Sequence, residues 1–306
     1  MNTGAHPTMP MAEYLKLPAV SASLISDILD QCPRAAWFNS WLNPAGVTDT
    51  TDDSDRGTIA HSLFLEGDSA GVAVIDPNDH PAKGSGAIPD GWTNTSIRAA
   101  RDEARAQGKI PVLKSKMAEI EAMVKAAQNF VGTLRTTEPA IFDMFQPQGG
   151  QSEVTMVWDE GGTQCKMRPD RISRDNRIIV NFKTTSASVE PDRWGRNALL
   201  DFVVGAAWYQ RGIEVLYGIE DCAYVFLVQE ANPPYLCSLV GLTPQHLEIG
   251  HSKRRAGLKR WQQCVASNTW PGYPNRVAYP ELPVWEIQRW EEKQLNDPAI
   301  AYGSQA

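Results

Sequence analysis

The chain has 306 residues, of which 42% are hydrophobic, 21% charged and 8% aromatic, enough to bury one large core or two small ones and too apolar for a disordered or fibrous protein. Its 29 Lys+Arg against 36 Asp+Glu leave a formal net charge of -7, so a polyanionic partner must be met by a local basic surface rather than by the molecule as a whole. The longest apolar stretch, 197–209, is interrupted by Asp201 and falls short of the roughly 20 residues of a membrane span, and MNTGAHPTMP is no signal peptide, so a soluble, untargeted, cytoplasmic protein is expected.

The first helix is predicted from about Ala22 to Gln31, because Ser21 can cap it and Leu24, Ile25, Ile28 and Leu29 share one face; Pro33 ends it. The acidic stretch Val47 to Ser54 reads as loop, and Arg56 to Glu66 as a short helix with His61 and Leu65 on one side. Pro, Gly and Asp crowd Pro77 to Asn94, a surface excursion, after which helices are predicted over Ile97 to Gln107 and Lys114 to Val131, separated by Gly108 and Pro111. At Gly149 the pattern changes to alternation. Ser152 to Trp158, Cys165 to Ile172 and Arg177 to Thr184 read as a three-stranded meander. A helix from Asp192 to Tyr217, strands at Ala223 to Gln229 and Tyr235 to Leu242, and a long helix from Thr243-Pro244 to about Ala266 complete the order. The expected fold is α/β (α+β), a central mixed β-sheet flanked by helices. One domain is expected over 20–285, its helical part 20–148 and its sheet core 149–285, with tails at 1–19 and 286–306.

The five cysteines are odd in number and scattered without a C-x-x-C pair, which argues against a disulfide framework, a thiolate zinc site and an iron–sulfur cluster. Oxygen chemistry is more prominent. Asp170 follows Pro169 at the end of one predicted strand, Lys183 lies near the end of the next, and Glu153 sits on the strand before, so a hairpin can gather carboxylates and an ammonium at one sheet edge. Clustered carboxylate oxygens suit a hard divalent cation, and a neighbouring lysine can serve an attacking water. Taken singly, Asp170 and Lys183 also match a structural ion pair, Glu153 a solvent-facing strand residue, and His61 a core histidine.

The run R-P-D170 followed by I-I-V-N-F-K183-T-T resembles the PD-(D/E)xK nuclease signature. With S-A-S-L-I-S-D-I-L-D-Q-C-P-R, R-G-T-I-A-H61-S-L-F-L-E-G, I-R-A-A-R-D-E-A-R-A-Q-G-K and W270-P-G-Y, the likeness extends over about Val20 to Tyr273 and looks like the phage and prophage exonucleases of the RecE (exonuclease VIII) type. The resemblance implies that His61, Glu153, Asp170 and residue 181 surround Mg²⁺, with Mn²⁺ as substitute, and that Lys183 serves the nucleophilic water. It also implies 5′ to 3′ degradation of one strand from double-stranded DNA ends, a homo-oligomeric ring, a single-strand annealing protein as partner, and the cytoplasm of a bacterial host. Two positions depart from the family pattern. Asn181 stands where an acidic residue is expected, by nature or by design, and removes one negative charge where attraction for the ion is largest. Gly205 stands where the helix often carries Gln, one turn before the tyrosine matched by Tyr209. Lys253, Arg254, Arg255, Lys259 and Arg260 form the best candidate DNA-binding surface, with Trp261 beside them. Two other classes stay open: a catalytically inert DNA-binding protein with a nuclease fold, favoured by Asn181 and Gly205, and a structural protein that does not bind DNA, favoured by the acidity of the chain.

Overall fold

The computed structural model describes residues 2–45, 52–67, 69, 71–297 and 299–300, leaving aside the side chains of 52–54 and 197–199. In chain order its elements are β1 (Gly4–His6), α1 (Met11–Lys16), α2 (Ala22–Ser26), α3 (Pro33–Phe38), α4 (Asp52–Leu65), β2 (Val72–Ile75), α5 (Thr95–Ala106), β3 (Ile110–Leu113), α6 (Lys114–Thr133) and α7 (Pro139–Met144). The β-rich part follows, with β4 (Gly150–Ser152), β5 (Thr155–Glu160), β6 (Thr163–Met167), β7 (Arg171–Ser173), β8 (Ile178–Thr185), α8 (Pro191–Tyr217), β9 (Ala223–Glu230), β10 (Cys237–Gly241), α9 (Pro244–Ser267) and α10 (Val284–Asn296). A π-helical turn, Asp27–Gln31, prolongs α2 to the end expected from the sequence.

Two strand breaks replace the expected meander. The segment read as one strand from Ser152 divides into β4 and β5, and the one read from Cys165 to Ile172 divides into β6 and β7. As a result β5 and β6 join β1 in a three-stranded antiparallel sheet, while the larger sheet runs in the order β10-β9-β8-β7-β4. In that sheet only β8 and β9 are parallel, in register from Ile178 opposite Ala223 to Thr185 opposite Glu230. The connection between them is α8, the crossover that a parallel pair requires. A separate parallel pair, β2 and β3, was not foreseen, because Pro111 reads as a breaker; in a two-stranded ribbon it can occupy an edge.

Both faces of β8 are covered. Ile179 packs with Trp158, Trp208, Phe226 and Trp261 in the cluster under α8 and α9, whereas Val180 and Phe182 point into a second cluster with Ala127, Ile141, Met144 and Leu227. This explains the nearly continuous apolar run of that strand. The five thiols are free, and four of them are buried. No helix among the described residues is long and apolar enough to cross a membrane.

The chain divides into two units, Met1–Pro271 and Gly272–Ala306. The expected N-terminal tail contains structure: β1 pairs antiparallel with β5, Gly4 opposite Val157 and His6 opposite Thr155. Residues 47–51 of the acidic loop lie outside the described residues, and α4 begins at Asp52 rather than at Arg56. In the second unit α10 exposes Trp285, Ile287 and Trp290.

The crossing of α8 and α9 depends on a glycine. A Cβ on Gly250 would lie 2.4 Å from the carbonyl oxygen of Val203, a backbone atom that cannot step aside. Gly250→Ala is expected to destabilise the protein by about 1–3 kcal/mol, the usual cost of overpacking, read as a lower denaturation midpoint at unchanged slope.

Candidate metal centre

The strand breaks build the site. Pro169 has no N–H to give to a ladder, and the chain leaves the small sheet after Met167 and enters the large one at Arg171. Across from it Glu153 adopts φ 55°, a left-handed conformation that costs a non-glycine residue on the order of 1–3 kcal/mol. The Glu153 N–H compensates by donating to the carbonyls of Pro169 at 3.1 Å and Asp170 at 3.3 Å. The two carboxylates are thus brought together where the sheets part. Asp170 is fixed from the other side by the Phe182 N–H of β8, which donates to its Oδ2 at 2.7 Å.

The imidazole comes from α4. Ile59 and Ala60 are buried beside it, and the His61 ring lies 6.2 Å from that of Phe182. His61 Nε2 is 3.0 Å from Asp170 Oδ2 and its Nδ1 3.4 Å from Glu153 Oε1. Potential ligand atoms of His61, Glu153 and Asp170 lie within 4.8 Å of one another. The other oxygen of Glu153 is taken by Arg168, whose Nε approaches Oε2 to 2.6 Å. Arg168 was not singled out in the sequence; the only hint was its place just before Pro169-Asp170.

Asn181 and Lys183 lie two apart on β8 and line a cavity of about 280 Å³ together with Tyr14, Lys166, Gly205 and Tyr209. Asn181 is buried, and its Oδ1 accepts no hydrogen bond. Lys183 Nζ stands 5.5 Å over the Phe202 ring. Tyr209 donates its hydroxyl to the carbonyl of Arg168 at 3.1 Å, and a Cβ on Gly205 would meet nothing within 4 Å. The donor set fits a divalent cation: two carboxylates and an imidazole converge, and a buried amide oxygen on the adjoining strand lacks the partner that such an oxygen needs.

Electrostatics couple the cluster. Burial works against the His61 imidazolium, but the hydrogen bond and charge of Asp170, with the charge of Glu153, outweigh burial and the repulsion of Lys183, so its pKa is raised. Burial also raises the Glu153 carboxyl, although His61 and Arg168 pull the other way.

The expected basic surface needs one correction. Arg254 is 5% exposed and its Nη1 lies 2.8 Å from Glu160 Oε1, so it is sealed against β5 and unavailable to phosphate. The helix has to bury the face that carries Gly250, Gly257, Leu258 and Trp261, and Arg254 falls on that face. Arg255, Lys259 and Arg260 are exposed and Lys253 half-buried. Trp261 is packed between Trp41 and Trp270, at ring distances of 5.4 and 5.0 Å.

A mixed sheet flanked by helices, with an acidic cluster where adjacent strands part and a lysine on the next strand, defines the PD-(D/E)xK class of nuclease folds. The chain belongs to the family of PDDEXK-like domains of unknown function (DUF3799), whose pattern matches residues 22–283. The fold is similar to the crystal structure of a "Putative exonuclease" from Eubacterium rectale, with a TM-score of 0.55 and 13% identity over 92% of this chain and 96% of that one. The crystal structure of SSO0001 matches at a TM-score of 0.25 and 12% identity over 71% of this chain and 97% of that one, too weak a likeness to bear on the fold. No curated protein matches the sequence.

Because the folded-state pKa of His61 is raised, its stabilising contribution is fully present below the unfolded value of about 6.5 and is lost as pH rises through the folded value. The metal-free protein should therefore gain melting temperature when taken from pH 8 to pH 6, and His61→Gln should flatten that dependence in a pH series of thermal melts.

Proposed function

We propose that the chain is a divalent-cation-dependent exodeoxyribonuclease that degrades the 5′ strand from double-stranded DNA ends in phage-type recombination. The observation that supports this best is the convergence of His61, Glu153 and Asp170 within 4.8 Å at the junction of two sheets. These three residues and the Asn181 amide oxygen would hold Mg²⁺, or Mn²⁺ in its place. When bound, such an ion neutralises charge on the non-bridging oxygens of a phosphodiester and makes water a better nucleophile at neutral pH.

The remaining chemistry belongs to the chain. Lys183 orients the attacking water and, as an ammonium, stabilises the charge that develops on the phosphate. Lys253, Arg255, Lys259 and Arg260 on α9 track the DNA backbone, as a local run of cations on an acidic protein can. The functional assembly in this reading is a homo-oligomeric ring with that helix facing a central passage, working beside a single-strand annealing protein.

Asn181 supports the second reading, an inert DNA-binding protein, because an amide brings no charge to the ion while dispersed phosphate contacts are unaffected. Digestion of end-labelled duplex in Mg²⁺ separates the two. The chain is expected to bind duplex ends with strong salt dependence and to cleave slowly, Asn181→Asp to raise the rate by orders of magnitude and tighten Mg²⁺ binding, and Lys183→Ala in that background to abolish turnover with metal binding largely kept. Salt-insensitive or absent DNA binding would overturn both readings; fast digestion by the unmodified chain would show that an amide at 181 suffices.

A further inference from the structure

Glu153 is held from several sides. Its backbone is left-handed, its N–H is shared between two carbonyls, and its Oε2 is engaged by a guanidinium whose side chain is 9% exposed. The remaining Oε1 is the atom that faces His61. Arg168 itself is clamped, because Nη1 donates to Thr155 Oγ1 and to the carbonyl of Met9, both at 2.8 Å. Met9 belongs to the segment that precedes the family match at residue 22.

The same segment is tied a second time. Lys166, one residue pair back along β6, sends Nζ to the carbonyls of Tyr14 at 2.9 Å, Leu15 at 3.4 Å and Leu17 at 3.1 Å, and burial pushes its pKa down to about 8. The Tyr14 ring lies 4.8 Å from Lys166 Nζ and 5.9 Å from the Arg168 guanidinium carbon, and it lines the cavity that contains Asn181 and Lys183. Lys166 on β6 and Arg168 just after it are therefore both tied to backbone carbonyls of residues 9–17.

We propose that Arg168 is a positioning residue for the metal centre, and that the N-terminal segment 9–17 is the strap that locks it, so that Glu153 presents a single oxygen toward the ion. This rests on the metal-dependent reading above and deepens it. A purely structural ion pair would need neither a left-handed glutamate nor a second anchor on backbone outside the family domain; a planar guanidinium held at Nη1 by Thr155 and Met9, by contrast, aims its Nε–H at Oε2 in a direction that a point charge does not fix. Outer groups that orient metal ligands typically contribute 10- to 100-fold in metal affinity.

The test uses the full chain and Mn²⁺ as probe, with binding read by electron paramagnetic resonance of the free ion and folding by thermal melts. Arg168→Lys keeps the charge and loses the planar guanidinium; it should weaken Mn²⁺ binding about tenfold or more while the melted fraction at assay temperature stays negligible. Tyr14→Ala, which leaves the Arg168–Glu153 pair intact and loosens the strap, should weaken binding in the same direction. Unchanged Mn²⁺ affinity in folded Arg168→Lys overturns the positioning role, and unchanged affinity in Tyr14→Ala overturns the strap. Absence of Mn²⁺ binding by the unmodified chain would instead bring down the metal reading, and this inference with it.

Discussion

A central position of a β-ladder has to give an N–H as well as receive at its carbonyl, and Pro169 has no N–H to give. The ladder fails between β6 and β7, and the chain can then continue in a different sheet. Glu153 makes the matching break on the partner side, supported by carbonyls of Pro169 and Asp170. Residues 153 and 170 stand opposite each other in the register that both ladders share, Ser152 facing Arg171 and Met156 facing Met167, so their side chains start on one face. Where the ladder is interrupted, both carboxylates and the imidazole of α4 reach one place.

Gathering carboxylates in a poorly hydrated junction is costly, and the surrounding residues show how the cost is contained. Arg168 and His61 offset the charge of Glu153, and the Phe182 N–H satisfies Asp170. Removing one partner of such a pair leaves a buried charge and costs about 3–5 kcal/mol in typical cases, which makes the arrangement all-or-none. Asn181 is the exception, since its buried oxygen has no partner. That orphan, on the strand of Lys183, is the feature of the site that internal packing does not account for.

Buried cations recur around the small sheet and do different work in each place. Arg254 neutralises Glu160, which also receives Arg211 at 3.2 Å, and ties α9 to the end of β5. Lys166 meets no carboxylate among the described residues and relies on three carbonyls. Arg168 alone connects a structural anchor to the candidate ligands. In the sequence all three are simply basic residues near apolar ones, and the run Lys253-Arg254-Arg255 gave no sign that its middle member turns inward, because a helix of alternating small and charged residues has no strong apolar stripe to mark the buried side.

The long helices were legible because their signals are local: Asn94 accepts from the N–H of Ile97 at the start of α5, Thr243 caps α9, and Gly218 ends α8 in the left-handed region. The mixed character of the sheet was likewise contained in residue types and spacing, and a family likeness named His61, Glu153, Asp170, Asn181 and Lys183 as candidates, of which the first three converge in the structure. What the sequence could not determine is where one strand becomes two, that the first residues pair with β5, that Arg254 turns inward, and that Arg168 grips Glu153. Each of these depends on contacts between residues far apart in the chain, such as Met9 with Arg168 or Glu160 with Arg254, whose energy exists only once the sheets have closed around them.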